Sequence, residues 1–209
     1  MTFESDFAPK LVELARNRIP PAPTVTNKDG EESLLLKTTI KAVSELHIGL
    51  LTECLELVDL NLSEYYTSIE GPDWKVDKLQ EMKEDGLVYC MFHSSLTGKP
   101  VAFFSFMVTI EEGENVVYLF EIHVSPKWQN AKLGTRLLEY VSDITRSLSC
   151  GFPDIAGIML TVFPENRALG WYFKNGFTFA SHSPRDKTLR FGKVLKPDYY
   201  LLFKNVDPR

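Results

Sequence analysis

The sequence predicts one α/β (α+β) domain: a mixed, mostly antiparallel central sheet flanked by helices, with a helical extension at its N-terminus. Three observations lead there. The 209 residues are 44% hydrophobic and 12% aromatic, values that suit a single globular core. Three apolar segments, Leu87–His93, Val101–Ile110 and Val116–Val124, follow one another across polar turns at Leu96–Lys99 and Glu111–Asn115, the pattern of an antiparallel meander. From Leu133 onward Leu137, Leu138, Val141, Ile144 and Leu148 recur at helical spacing, while Glu139, Asp143 and Arg146 take the other side. Such a helix buries one stripe on a sheet.

The other elements follow in chain order. Phe7, Leu11, Leu14 and Ala15 predict an amphipathic helix, ended by Pro20, Pro21 and Pro23. Residues 24–32 are polar and read as a loop, so residues 1–37 form the extension and 38–209 the main domain. A helix over about Ser44–Tyr66 carries Leu50, Leu51, Cys54, Leu55, Leu57 and Val58, and Trp74–Glu84 reads as a charged helix. Beyond the amphipathic helix, which stops at Gly151 and Pro153, come a strand over Ala156–Phe163 and a helix over Asn166–Asn175. Gly176 stands where a helix end favours a left-handed residue. Phe177–Ser181 and Tyr199–Phe203 complete the sheet, with a polar hairpin region, Ser183–Asp198, between them.

Charge and composition narrow the function. With 23 Lys and Arg against 28 Asp and Glu, the net charge is −5, which disfavours direct binding to nucleic acid and favours a basic partner. Cys54, Cys90 and Cys150 are odd in number and lack metal-ligand spacing, so neither a disulfide framework nor a metal site is expected. The opening residues MTFESDFAPK carry no apolar leader core. No run approaches the roughly 20 apolar residues of a membrane span. The expected location is cytoplasmic and nuclear.

The segment richest in chemistry is Val116–Thr135, VVYLFEIHVSPKWQNAKLGT. A strand leads through a proline and a polar turn, Gln129 to Gly134, into a helix start, whose unpartnered amides and dipole cradle an anion. Strict alternation puts Val116, Tyr118, Phe120, Ile122 and Val124 on one strand face and Val117, Leu119, Glu121 and His123 on the other. Glu121 is then an acid among apolar neighbours. Two readings stay open: a carboxylate satisfied by a cation or amide, or a general base beside the cradle. His123 reads as packed or hydrated rather than catalytic.

This run resembles the acyl-coenzyme A binding core of the GNAT acetyltransferases, whose loop reads Arg or Gln, two residues, Gly, one residue, Gly or Ala. Gln129 and Gly134 match its ends, and Lys132 stands in place of the first glycine. The blocks WKVDKLQEM (Trp74–Met82), VYLFEIHV (Val117–Val124), MLTVFPEN (Met159–Asn166) and DYYLLFK (Asp198–Lys204) together resemble the NatD type, over roughly Thr38–Lys204. That type acetylates the N-termini of histones four and two-A, tails that open Ser-Gly-Arg-Gly.

The resemblance implies acetyl-coenzyme A as co-substrate, histone tails as partners, and a sheet splayed to admit the pantetheine arm. It implies that Ile122, His123 and Val124 pair with that arm, that Gln129, Asn130, Ala131, Lys132, Leu133, Gly134 and Thr135 hold the pyrophosphate, and that Asn166 contacts the coenzyme. Glu121 becomes the base, and Tyr172 lies where many members place a tyrosine near the thiolate. Tyr66, Tyr118, Phe120, Thr161, Ser183 and Tyr199 line the peptide site, with Glu111 on an acidic rim for the third-position arginine. Phe120 departs from the tyrosine of that type, and Thr109 stands where it has an acid. Two other readings remain: a GNAT enzyme for another protein N-terminus, lysine or small amine, and an acyl-coenzyme A binding module without catalysis.

Overall fold

The computed structural model describes residues 3–206. In chain order the elements are α1 (Phe3–Arg18), β1 (Thr24–Thr26), β2 (Ser33–Ala42), α2 (Ile48–Glu70), α3 (Trp74–Glu81), β3 (Val88–Ser94), β4 (Pro100–Glu111), β5 (Glu114–Val124), α4 (Leu133–Ser149), β6 (Ile155–Val162), α5 (Leu169–Lys174), β7 (Thr178–Phe179), β8 (Lys187–Thr188), β9 (Val194–Leu195) and β10 (Tyr200–Asn205). One sheet runs β1-β2-β3-β4-β5-β6-β10-β7, and β8 pairs with β9 apart from it. All pairings are antiparallel except β5 with β6.

The central strands are apolar on both faces because both faces are covered. Val88, Cys90 and Phe92 of β3 and Phe104, Phe106 and Val108 of β4 join a core with Leu11 and Ala15 of α1 and Leu137, Val141 and Ile144 of α4. Their neighbours Tyr89, Met91, Phe103 and Met107 turn the other way, onto Leu51, Cys54 and Val58 of α2 and Trp74 of α3. Helix α1 therefore shares its core with the sheet, and the division expected after residue 37 falls inside β2.

Several element ends differ from the sequence reading. The stretch read as a loop contains β1, an edge strand held on β2 by only three residue pairs. Helix α2 starts at Ile48, where the His47 side chain accepts from Gly49 N, and runs on to Gly71, whose positive φ of 89° ends it. The hairpin expected within Ser183–Asp198 is present, as β8 paired with β9.

Two irregularities shape the middle of the sheet. The β4–β5 register passes from Ser105 opposite Glu121 to Phe106 opposite Leu119, so β5 carries a bulge at Phe120. Strict alternation fails there. Val117, Leu119 and Val124 go to the α1/α4 side, whereas Phe120 packs on the α2/α3 side, where Glu121 meets Lys78 and His123 meets Asn61. The bulge thus turns Glu121 to the same side as Phe120, away from Val117 and Leu119. The second irregularity is that β5 and β6 pair only up to Tyr118 opposite Met159, while β6 stays paired to β10 through Val162 opposite Tyr200. Beyond Tyr118 the two strands part.

Close packing at the far end of β6 gives a stability prediction. A Cβ on Gly157 would lie 2.4 Å from Lys204 O and 2.8 Å from the Phe203 ring, so any side chain pushes β10 away. Gly157→Ala is expected to cost about 1–3 kcal/mol of stability, read as a lower denaturant midpoint at unchanged slope. An unchanged midpoint would mean that β10 retreats freely.

Candidate active site

Where β5 and β6 part, a cleft of about 1280 Å³ opens, bounded by α2, α3, the loop before α4, and α5. Its floor is the unpaired edge of β5, Leu119 to Val124. Such an edge presents main-chain donors and acceptors to an extended ligand.

At one end stands the start of α4. The chain turns there with Asn130 at φ 59° and Lys132 at φ 60°, so Lys132 adopts the left-handed conformation that glycine takes most easily. The first bond of the helix runs from Arg136 N to Lys132 O at 3.0 Å. The amides of Leu133, Gly134 and Thr135 precede it and have no intrahelical acceptor, the arrangement an anion cradle requires. Asn130, Lys132, Gly134 and Thr135 line the cleft. Leu133 is buried below it and Ala131 packs on the core, so these two offer backbone only. Gln129 lines the cleft but is tied backward, its Nε2 donating to Val124 O at 3.0 Å and Asn61 Oδ1 at 2.8 Å.

The middle of the cleft holds Glu121, 6% exposed. Lys78 Nζ pairs with its Oε1, and His123 Nε2 lies 2.5 Å from its Oε2. Asn61 Nδ2 sits 3.2 Å from His123 Nδ1. An imidazole donating from Nε2 to Glu121 and accepting at Nδ1 from the Asn61 amide satisfies both of these contacts. Both ring nitrogens are then engaged, which suits His123 to orienting Glu121 rather than moving protons itself.

Burial acts to raise the Glu121 carboxyl, but Lys78 and the His123 hydrogen bond outweigh it and hold the group at about 2. Because the folded value lies below the ordinary 4.5, Glu121 stabilises the fold above that pH, and the contribution is lost as pH falls toward 2. Glu121 stays ionised at neutral pH. Burial, followed by the charge of Glu121, pushes the Tyr172 phenol well above its usual range, so Tyr172, on the wall of the same cleft, stays protonated.

The remaining site residues separate. Tyr66, Glu111, Tyr118, Phe120, Thr161 and Tyr199 line the cleft. Tyr66 stacks on Trp74 at 4.6 Å, and Tyr118 shares a 2.5 Å hydrogen bond with Thr161 across the parting strands. Asn166 lines the cleft, while its Oδ1 accepts from Ala168 N at 2.8 Å and shapes the turn into α5. Ser183 is a correction. It lies outside the lining, 4% exposed, and its hydroxyl accepts from Leu201 N and donates to Pro184 O, fixing the approach to β10.

Among the cleft residues to which the sequence reading gave no role are Lys78, Asn61 and Trp171. Lys78 had a legible signal. Trp74, Lys78 and Met82 stand four apart and are 3%, 4% and 2% exposed, so a lysine occupies the apolar stripe of α3, a place it takes only with a buried partner. Trp171 donates from Nε1 to Thr135 Oγ1 at 3.2 Å and lies against Gly134. The reading of α5 settled on the adjacent Tyr172.

Comparison with known proteins agrees with this geometry. Residues 54–177 match the acetyltransferase (GNAT) family. N-alpha-acetyltransferase 40 of Saccharomyces cerevisiae is 35% identical over 182 residues, 70% of this chain and 60% of that protein, so the chain spans about 60% of the length of this curated relative. Among solved structures, Tetrahymena GCN5 superposes with a TM-score of 0.57 at 16% identity, covering 83% of this chain and 98% of that one. The PaiA N-acetyltransferase of Thermoplasma acidophilum, in complex with coenzyme A, gives 0.52 at 14% identity, covering 81% and 99%. The family match spans more than half of the chain and the solved structures share its fold, so the chain belongs to the GNAT acetyltransferase family.

Proposed function

We propose that this protein is an acetyl-coenzyme A dependent N-terminal acetyltransferase acting on basic tails of the Ser-Gly-Arg-Gly type, those of histones four and two-A. The observation that carries the reading is a buried, ionised carboxylate, Glu121, at the opening between β5 and β6 and in the same cleft as the start of α4. The likeness to N-alpha-acetyltransferase 40 supports an α-amine as acceptor.

The cleft fits the co-substrate by its own chemistry. The main chain of Ile122, His123 and Val124 would pair with the pantetheine amides, apart from the Val124 carbonyl, which already accepts from Gln129 and Asn61, and the α4 amides with Lys132 would hold the pyrophosphate. The chain's residues then do three things. The walls from Tyr66, Phe120 and Tyr118 admit a small first residue and keep its amine close to Glu121. As the new C–N bond forms, the nitrogen turns cationic and far more acidic than a free amine, so an ionised carboxylate takes its proton despite its own low pKa. As the C–S bond breaks, Tyr172, protonated and on the cleft wall, would give a proton to the leaving thiolate.

The α-amine is the easier acceptor, because its pKa of about 8 against about 10.4 for lysine makes deprotonation near neutrality roughly 3 kcal/mol cheaper. Glu70, Glu81, Glu84 and Glu111 line the outer cleft and suit a cationic tail. A peptide opening Ser-Gly-Arg-Gly is therefore expected to gain its acetyl group on the α-amine, and the same peptide already blocked there to stay inert despite its lysines. Mass spectrometry locates the group. Acetyl-lysine on the blocked peptide, or equal rates for unrelated N-termini, would replace this reading with a GNAT enzyme of other specificity; coenzyme binding without transfer to any amine would leave a binding module.

A further inference from the structure

We propose that Lys78 is a positioning residue for acetyl transfer: from α3 it keeps the Glu121 carboxylate charged and aimed into the cleft, acting on the reaction through Glu121. This inference rests on Glu121 being the proton acceptor of the proposed function.

The placement is specific. Lys78 is 4% exposed, with Nζ on Glu121 Oε1, 2.9 Å from Glu81 Oε1, and 5.2 Å over the Tyr66 ring. It is thus held from three sides, and Glu121 has its other oxygen fixed by His123. Among the described residues, the other titratable groups that act on Glu121 are Cys54 and Tyr66 of α2, Tyr89 of β3 and Tyr172 of α5, all pushed up first by burial and therefore neutral. Glu81 shares Lys78 and adds negative charge. Lys78 is consequently the permanent cation on a carboxylate that burial would otherwise protonate, and a buried glutamate without one rises to about 8–9 in documented cases. A protonated Glu121 has nothing to offer a departing ammonium proton.

The test is the pH profile of kcat/KM with a Ser-Gly-Arg-Gly peptide, on the full chain. In the native protein the acid side should have a slope of about 1, set by the substrate amine alone. Lys78→Met is expected to lower kcat/KM at neutral pH by about 10–100-fold, the result of a carboxyl one to two units above the assay pH, with recovery at higher pH and an acid-side slope of about 2. Lys78→Arg keeps the charge and should keep the native slope. Added to Glu121→Gln, the Met change should cost little more. A Lys78→Met profile of native shape, at whatever level, would overturn the proposal, as would a full additional loss in the Glu121→Gln background. Full activity of Glu121→Gln would instead sink the base reading itself. If Lys78→Met does not fold, as judged by melting and coenzyme binding, Lys78→Gln gives the same reading with a hydrogen bond retained and the charge removed.

Discussion

Glu121→Gln is expected to lower kcat by about 10²–10⁴, the usual worth of a general base, while the affinity for acetyl-coenzyme A stays close to native. The amide is nearly isosteric and keeps the acceptor for His123, so the bulge and cleft walls have no steric reason to move. It cannot take a proton. The change also leaves Lys78 without its deepest partner, and breaking a buried pair typically costs about 3–5 kcal/mol. Here the loss is softened because Lys78 retains Glu81 at 2.9 Å. Coenzyme affinity by calorimetry and the melting temperature together separate a chemical defect from a folding one. Full turnover at neutral pH in a folded variant would remove Glu121 from the mechanism.

The same residue shows how far the sequence could be read. Its burial was legible, because an acid inside an apolar strand has few other places to be. Its orientation was not, since one extra residue at Phe120 reverses the alternation and no local signal in YLFEIHV marks the bulge. The outcome joins both sequence readings: Glu121 is paired with a cation, and it also faces the cleft beside the cradle. Lys78 supplies that cation from α3, 43 positions earlier by residue number, so only the three-dimensional fold brings them together.

Elements followed the same rule. The α4 helix and the β3–β4–β5 meander rest on periodicity and short turns, which are local, and they stand where expected. Strand β2 has an alternating burial over Leu34, Leu36 and Ile40, but its partner β3 lies beyond two helices. Ser183 shows the limit of resemblance, because a hydroxyl near the right place in the chain turned inward to satisfy Leu201 N. Lys132 shows the reverse: a departure from the loop pattern that the backbone accommodates, at φ 60°, without losing the turn.

That turn carries the second large effect. Gly134→Asp is expected to weaken acetyl-coenzyme A about 10–100-fold, the scale of one or two charged hydrogen bonds lost, with a much smaller effect on kcat at saturating donor. A Cβ at Gly134 would come within 3.3 Å of the Trp171 ring, whose Nε1 is tied to Thr135 Oγ1 at 3.2 Å. The indole has little freedom to move aside, so the new carboxylate turns toward the amides of the first turn. An acid in the first helical turn is favourable for the helix itself, which means that the fold survives while the cradle fills with its own anion. A pyrophosphate then meets a negative charge in place of free N–H groups. Gly134→Ala provides the uncharged control: it has the same contact with Trp171, and its smaller loss measures the steric share. Calorimetry decides the matter, and a folded Asp variant that binds the coenzyme as tightly as the native chain would move the pyrophosphate away from the start of α4.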